Sequence, residues 1–107
     1  MSAITTHVLD TSRGMPVPGI QVILEKRLPG GVWQSAGAGV TDADGRAKSL
    51  LADGAEFTEA VYRLTFSNRP DGLYPEVTIA FWVRDSSRHY HIPLLLSPYG
   101  YTTYRGS

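Results

Sequence analysis

Three histidines carry most of the chemistry open to this chain: His7, His89 and His91. Imidazole titrates nearest neutral pH and is the usual general base. His89 and His91 stand two apart, so on a strand they point to one face while Tyr90 points to the other. The ordinary reading of such spacing is three unrelated surface or hydrogen-bonded histidines. The same three could instead hold zinc with a water as fourth ligand, but no H-E-x-x-H or comparable spacing occurs and no metal is expected. Arg46 follows Thr41-Asp-Ala-Asp-Gly45. Asp-Gly favours a hairpin turn with an exposed cation after it. A guanidinium there could also bind a carboxylate or acyl-urea edge through two parallel hydrogen bonds. The segment is not a calcium loop, because Ala52 stands about where a glutamate ligand is required. Ser97 to Ser107 is aromatic and rich in hydroxyls. No G-x-S-x-G elbow surrounds Ser107, so nothing in the sequence marks it as an activated nucleophile.

The elements that must position these groups read as short strands. Glycine and proline punctuate the chain at Gly14 to Gly19, Pro29 to Gly31, Asp42 to Gly45, Asp53-Gly54, Arg69 to Gly72 and Ser97 to Gly100. Between these turns strands are predicted at Ile4–Leu9, Ile20–Arg27, Val32–Thr41, Val61–Ser67, Val77–Val83, His89–Leu96 and Tyr101–Arg105, with an eighth extended piece around Ala47–Leu50. Alternation supports them: Ile20, Val22 and Leu24 share a face, as do Tyr62, Leu64 and Phe66, and Val77, Ile79, Phe81 and Val83. Thr78, Ala80 and Trp82 suggest partial cover on the other face of that last strand. Helix signals are thin, with a turn or two conceivable only at Gly54 to Ala60. Many short strands divided by such turns predict an all-β, two-sheet sandwich or barrel, folded as one domain over residues 1–107.

Composition narrows the function classes. The chain has 107 residues, 42% hydrophobic and 19% charged, which suits one globular core rather than a disordered chain. Ten basic residues balance ten acidic ones, so the basic excess of a nucleic-acid module is missing and no nucleic-acid partner is expected. Apolar runs are far shorter than the roughly 20 residues of a membrane helix, so no membrane partner is expected either. The absence of cysteine excludes disulfides, thiolate metal sites and a cysteine nucleophile. The first residues carry no charged and apolar leader pattern, and the expected location is the cytoplasm.

Thr6-His-Val-Leu-Asp10, Gly39-Val-Thr-Asp-Ala-Asp-Gly-Arg46 and the stretch from His89 to Ser107 resemble the 5-hydroxyisourate hydrolases, the transthyretin-like proteins of purine breakdown. Tyr62-Arg-Leu-Thr-Phe66 and Tyr74-Pro-Glu-Val-Thr78 extend the resemblance over nearly the whole chain. Its most specific part is the terminal Tyr-Arg-Gly-Ser, which the hormone carrier transthyretin lacks. The resemblance implies a transthyretin-like sandwich of seven to eight strands. It implies hydrolysis of 5-hydroxyisourate to 2-oxo-4-hydroxy-4-carboxy-5-ureidoimidazoline without a cofactor, in a homotetramer built from two dimers. Residue by residue, it places catalysis on His7, Arg46, His91 and Ser107 and substrate binding on His7, Arg46 and Tyr104; His91, not His89, matches the family's second histidine. One departure stands out. The family's usual insert with a short helix is cut here to Ser67–Leu73, where Pro70 and Gly72 oppose a helix, so the helix is expected to be reduced or missing.

Other classes make different demands. A transthyretin-like carrier of a hydrophobic small molecule would want an apolar channel rather than histidine and arginine. A structural sandwich domain would usually sit in a longer chain. A zinc hydrolase would need all three histidines about one ion.

Overall fold

Alternating apolar and polar residues sort the strands into two sheets whose inner faces meet. The computed structural model describes residues 3–107. The first sheet is built around β1 (Ile4–Asp10), with β2 (Met15–Pro16), β5 (Arg46–Ala47), β8 (Tyr90–His91), β9 (Leu94–Ser97) and β10 (Gly100–Thr103). The second runs in the order β4 (Trp33–Val40), β3 (Gln21–Arg27), β6 (Ala60–Ser67), β7 (Glu76–Val83), all antiparallel. Seven of these strands have four residues or more, and β2, β5 and β8 are two-residue pieces. This is the expected all-β sandwich with short additions.

The core lies between the sheets. Ile4 and Val8 of β1 and Leu94 and Leu96 of β9 pack with Val22, Leu24, Tyr62, Leu64, Phe66, Val77 and Val83. Each fully buried side chain of this size contributes about 1.5–3 kcal/mol by leaving water. The outer face of the second sheet is covered differently: the guanidinium of Arg63 sits 4.1 Å over the Trp33 ring and that of Arg84 4.5 Å over Trp82. The partial cover expected around Trp82 is therefore a cation on an exposed indole.

Three expectations change in detail. The predicted strand His89–Leu96 is divided into β8 and β9. Pro93 lacks the N–H that would continue the ladder, yet the register against β1 is unchanged across the break, with Thr5 opposite His91 and Val8 opposite Leu94. The predicted strand ending at Arg105 stops at Thr103. Gly54 to Ala60 makes no helical turn. The Tyr62 hydroxyl donates to the Thr58 carbonyl at 3.0 Å, and the Phe57 ring packs 5.7 Å from that of Tyr62. Tertiary contacts thus occupy groups a short helix would need, and so short a helix has little to offset its nucleation cost.

No helix forms among the described residues of the 67–73 connection either. Arg69 holds it down by donating to the Asp10 carboxylate at 2.9 Å. Asp10, buried at the end of β1, also accepts from the Ser12 amide and hydroxyl and the Arg13 amide. The Ser12 hydroxyl and the Arg69 guanidinium hold its carboxyl far below the ordinary value of 3.8. The fold therefore favours the ionised form, a contribution complete above about pH 5 and lost as pH falls below that ordinary value. Asp10→Asn is expected to lower the urea midpoint at pH 7, with the gap from the parent closing toward pH 2. Equal midpoints at pH 7 would show that the anchor contributes nothing.

Candidate active site

The alternation of β1 sends Ile4, Thr6 and Val8 into the core and leaves Thr5 and His7 half-buried on the opposite face. Neighbouring strands then deliver the remaining groups. β5 pairs antiparallel with β1 and sets Arg46 opposite His7. β8 pairs parallel with β1 and sets His91 opposite Thr5. Three distant stretches of chain are gathered on one face by backbone pairing alone.

Two turns fix the approach. In the turn before Arg46, the Asp42 carboxylate accepts the Asp44 and Arg46 amides at 2.9 and 3.0 Å. The Arg46 amide is the largest cause holding that carboxyl below its ordinary value. Gly45 has φ +74°, and a Cβ there would lie 2.5 Å from the Val8 carbonyl oxygen, so glycine is required on both counts. Its carbonyl receives the Val8 amide at 2.7 Å, which ties the turn to β1. In the turn before His89, Asp85 accepts the Ser87 amide and hydroxyl, and its own amide and carbonyl both bond the Tyr90 hydroxyl at 3.1 Å.

The C-terminal segment closes over this face. The Gly106 amide donates to the His91 carbonyl at 2.8 Å, and the Arg105 guanidinium lies 4.4 Å over the Tyr90 ring. A Cβ on Gly106 would sit 2.5 Å from Cδ2 of His91. Only glycine lets the terminal segment lie against that imidazole.

These groups surround an open cleft of about 940 Å³. Arg46, His91 and Ser107 line it, together with Thr5, Lys48, Arg88, His89 and Arg105. No Asp or Glu is among its lining residues, so the cleft suits a polar ligand with negative or partly negative oxygens. His7 is not in the lining. It shares the outward face of β1 with Thr5, and its Nε2–H donates to the Asp44 carbonyl at 2.8 Å. Tyr104 is also outside the lining and 53% exposed, so a ring held in the cleft of one chain has no Tyr104 beside it. The family motif matches His91 and not His89, yet both line the cleft, as their shared face allows. Thr5 and Gly106 were not singled out; their spacing from His7 and their place in the terminal motif were the available signals. Among the described residues no group of three or more His, Asp or Glu side chains is placed to hold a metal ion.

Burial, reinforced by the charges of Arg46, His89 and His7, pushes the His91 imidazole below its ordinary 6.5. It is therefore neutral at pH 7.

A transthyretin-type sandwich with a cationic, histidine-bearing cleft is thus the class that fold and site define. The chain belongs to the HIUase/Transthyretin family, whose model matches residues 4–106. It is 40% identical over 111 residues to a 5-hydroxyisourate hydrolase of Salmonella dublin, covering 97% of this chain and 80% of that protein. It is 42% identical over 115 residues to 5-hydroxyisourate hydrolase 2 of Rhizobium meliloti, covering 97% and 95%. The crystal structure of sea bream transthyretin in complex with thyroxine superposes with a TM-score of 0.87 at 27% identity, covering 97% of this chain and 94% of that one.

Two outcomes are expected. In an NMR titration, His91 has a midpoint below 6.5, and Arg46→Met raises it by removing a repelling cation. A wild-type midpoint above 6.5 would contradict the described environment. Gly106→Ala displaces the His91 ring, seen as a large shift of its ring resonances in a protein that still folds. Unchanged resonances would mean that the close approach is not maintained in solution.

Proposed function

We propose that this chain hydrolyses 5-hydroxyisourate to 2-oxo-4-hydroxy-4-carboxy-5-ureidoimidazoline, as a single hydrolase domain over residues 1–107. The observation that carries the reading is the convergence of Arg46, His91 and Ser107 on one cationic cleft. The names of the hydrolase relatives from Salmonella dublin and Rhizobium meliloti supply the substrate.

The reaction adds water to an acyl carbon and breaks its bond to a ring nitrogen. A carbonyl can only accept, so the bond from His7 to Asp44 leaves the neutral ring with Nδ1 as a free acceptor. His7, beside the cleft on the same face of β1 as Thr5 and opposite Arg46, takes the proton from the attacking water and returns it to the departing nitrogen. Arg46 binds the substrate oxygens and meets the negative charge that builds on the carbonyl oxygen. His91 works on the same oxygen from the other wall. Ser107 orients the water with its hydroxyl. No activated nucleophile is called for, so the attack is direct.

Our reading extends to the assembly. The open cleft of one chain is closed in a homotetramer, a dimer of dimers, where Tyr104 of a neighbouring copy can reach the substrate. The enzyme works without a cofactor, and we place it in the cytoplasm. Among the described residues no helix is long and apolar enough to cross a membrane.

A carrier role, as for the thyroxine-bound sea bream protein, needs a more apolar lining than Arg46, Lys48, Arg88 and Arg105 provide.

The test follows the ultraviolet absorbance of freshly generated 5-hydroxyisourate. Its decay accelerates with the wild-type protein. His7→Ala lowers kcat/KM by about 100- to 10,000-fold, and Arg46→Ala or His91→Ala by about 100- to 1,000-fold, with circular dichroism unchanged. A decay rate indifferent to the protein would reject the reading, and thyroxine binding without turnover would establish the carrier.

A further inference from the structure

We propose that Thr5 and His89 form a hydrogen-bonded chain behind His91 that fixes its tautomer. His91 thereby presents a neutral Nε2–H to the cleft as a donor to the carbonyl oxygen under attack. This last, catalytic part rests on the hydrolase reading.

The argument starts from one hydroxyl shared by two rings. Thr5 Oγ1 lies 2.9 Å from Nε2 of His89 and 2.8 Å from Nδ1 of His91. It has one proton, so it can donate to only one of them. His89 decides which. Its Nδ1 is buried and has no hydrogen-bond partner. A proton there would be a buried donor with nothing to receive it, a rarer and costlier state than an unused acceptor. His89 therefore carries its proton on Nε2 and donates it to Thr5. The Thr5 hydroxyl then donates to Nδ1 of His91, and the proton of His91 is left on Nε2. If both rings donated to Thr5 instead, neither of its two side-chain hydrogen bonds would use the hydroxyl proton.

The role that follows is electrostatic. A neutral imidazole is a poor source of a whole proton but a good fixed donor to developing negative charge. Burial and the Arg46 charge keep His91 neutral. The Nε2–H bond does not break. The proton lost by water travels through His7 to the leaving nitrogen, and His91 and Arg46 share the oxyanion. Thr5 and His89 are positioning residues, acting only through His91.

Ring-nitrogen NMR of the ¹⁵N-labelled protein reads the tautomers directly. Expected are Nε2–H forms for both His89 and His91. Thr5→Val removes the hydroxyl at nearly constant shape. It should let His91 drift to a mixture of tautomers and lower kcat about 10-fold, less than loss of a direct donor, with KM within about twofold. Thr5→Ser should restore both signals. A wild-type His91 protonated on Nδ1, or a Thr5→Val protein with parental tautomer and kcat, would overturn the proposal. If wild-type protein showed the expected tautomers but left 5-hydroxyisourate untouched, the lock would stand and the hydrolase reading would fall. The wild-type spectrum and Thr5→Ser decide the matter even if Thr5→Val does not fold.

Discussion

The hydrogen-bonded ladders on the two edges of β1 are the constraint from which the site follows. β8 and β9 run parallel to it along one edge, while β5 and β2 run antiparallel along the other. A strand alternates its side chains, so each inward anchor is next to an outward functional position. Ile4, Thr6 and Val8 hold β1 in the core, and Thr5 and His7 lie between them facing the opposite way. A register slip of one residue would send the histidine inward and an aliphatic side chain outward. The packing energy of the core therefore guards the geometry of the site.

Much of this was legible in the sequence because strand alternation is a local signal. Val22 and Leu24, and Leu64 and Phe66, declare an inner face by their own spacing, and all four are buried. Arg46 was legible as a residue presented by an Asp-Gly turn. What local patterns do not contain is which strands become neighbours. The pairing of Thr5 with His91, and the contact of Thr5 with both His89 and His91, depend on register between segments at opposite ends of the chain. No spacing rule connects them. Gly106 was hidden for a similar reason: its lack of a side chain matters only because an imidazole from β8 lies against it. Tyr104 shows the converse, a residue marked by its motif that lies outside the cleft lining and is exposed.

Electrostatics separate the cleft from the rest of the surface. The chain as a whole is neutral, with ten basic and ten acidic residues, yet Arg46, Lys48, Arg88 and Arg105 line one concave region without a carboxylate side chain. Such a region attracts a polar, electron-rich ring without a large net charge that would draw in polyanions generally. One of these cations also acts on His91. Burial and the charge of Arg46 both disfavour its protonation, so a cation that lines the cleft also favours the neutral imidazole that a fixed tautomer requires.

The shortened connection between β6 and β7 can be reconciled with an intact site by position. Thr5 and Asp10 are five residues apart on β1, about 17 Å at strand rise. The site is built at the Thr5 end, and the 67–73 segment is anchored at the Asp10 end through Arg69. There the Leu73 amide also reaches the Pro98 carbonyl at 2.9 Å, joining the two sheets at that edge. The connection without a helix therefore lies at the far edge of the sandwich, and none of its residues lines the cleft. Asp10 and Arg69 secure that edge with a hydrogen-bonded ion pair whose carboxylate is also held by the Ser12 and Arg13 amides. A buried carboxylate with that many donors is fully compensated. The end of β1 is thus fixed without a helix, and the ladder that places Thr5, His7 and His91 begins from a secured strand.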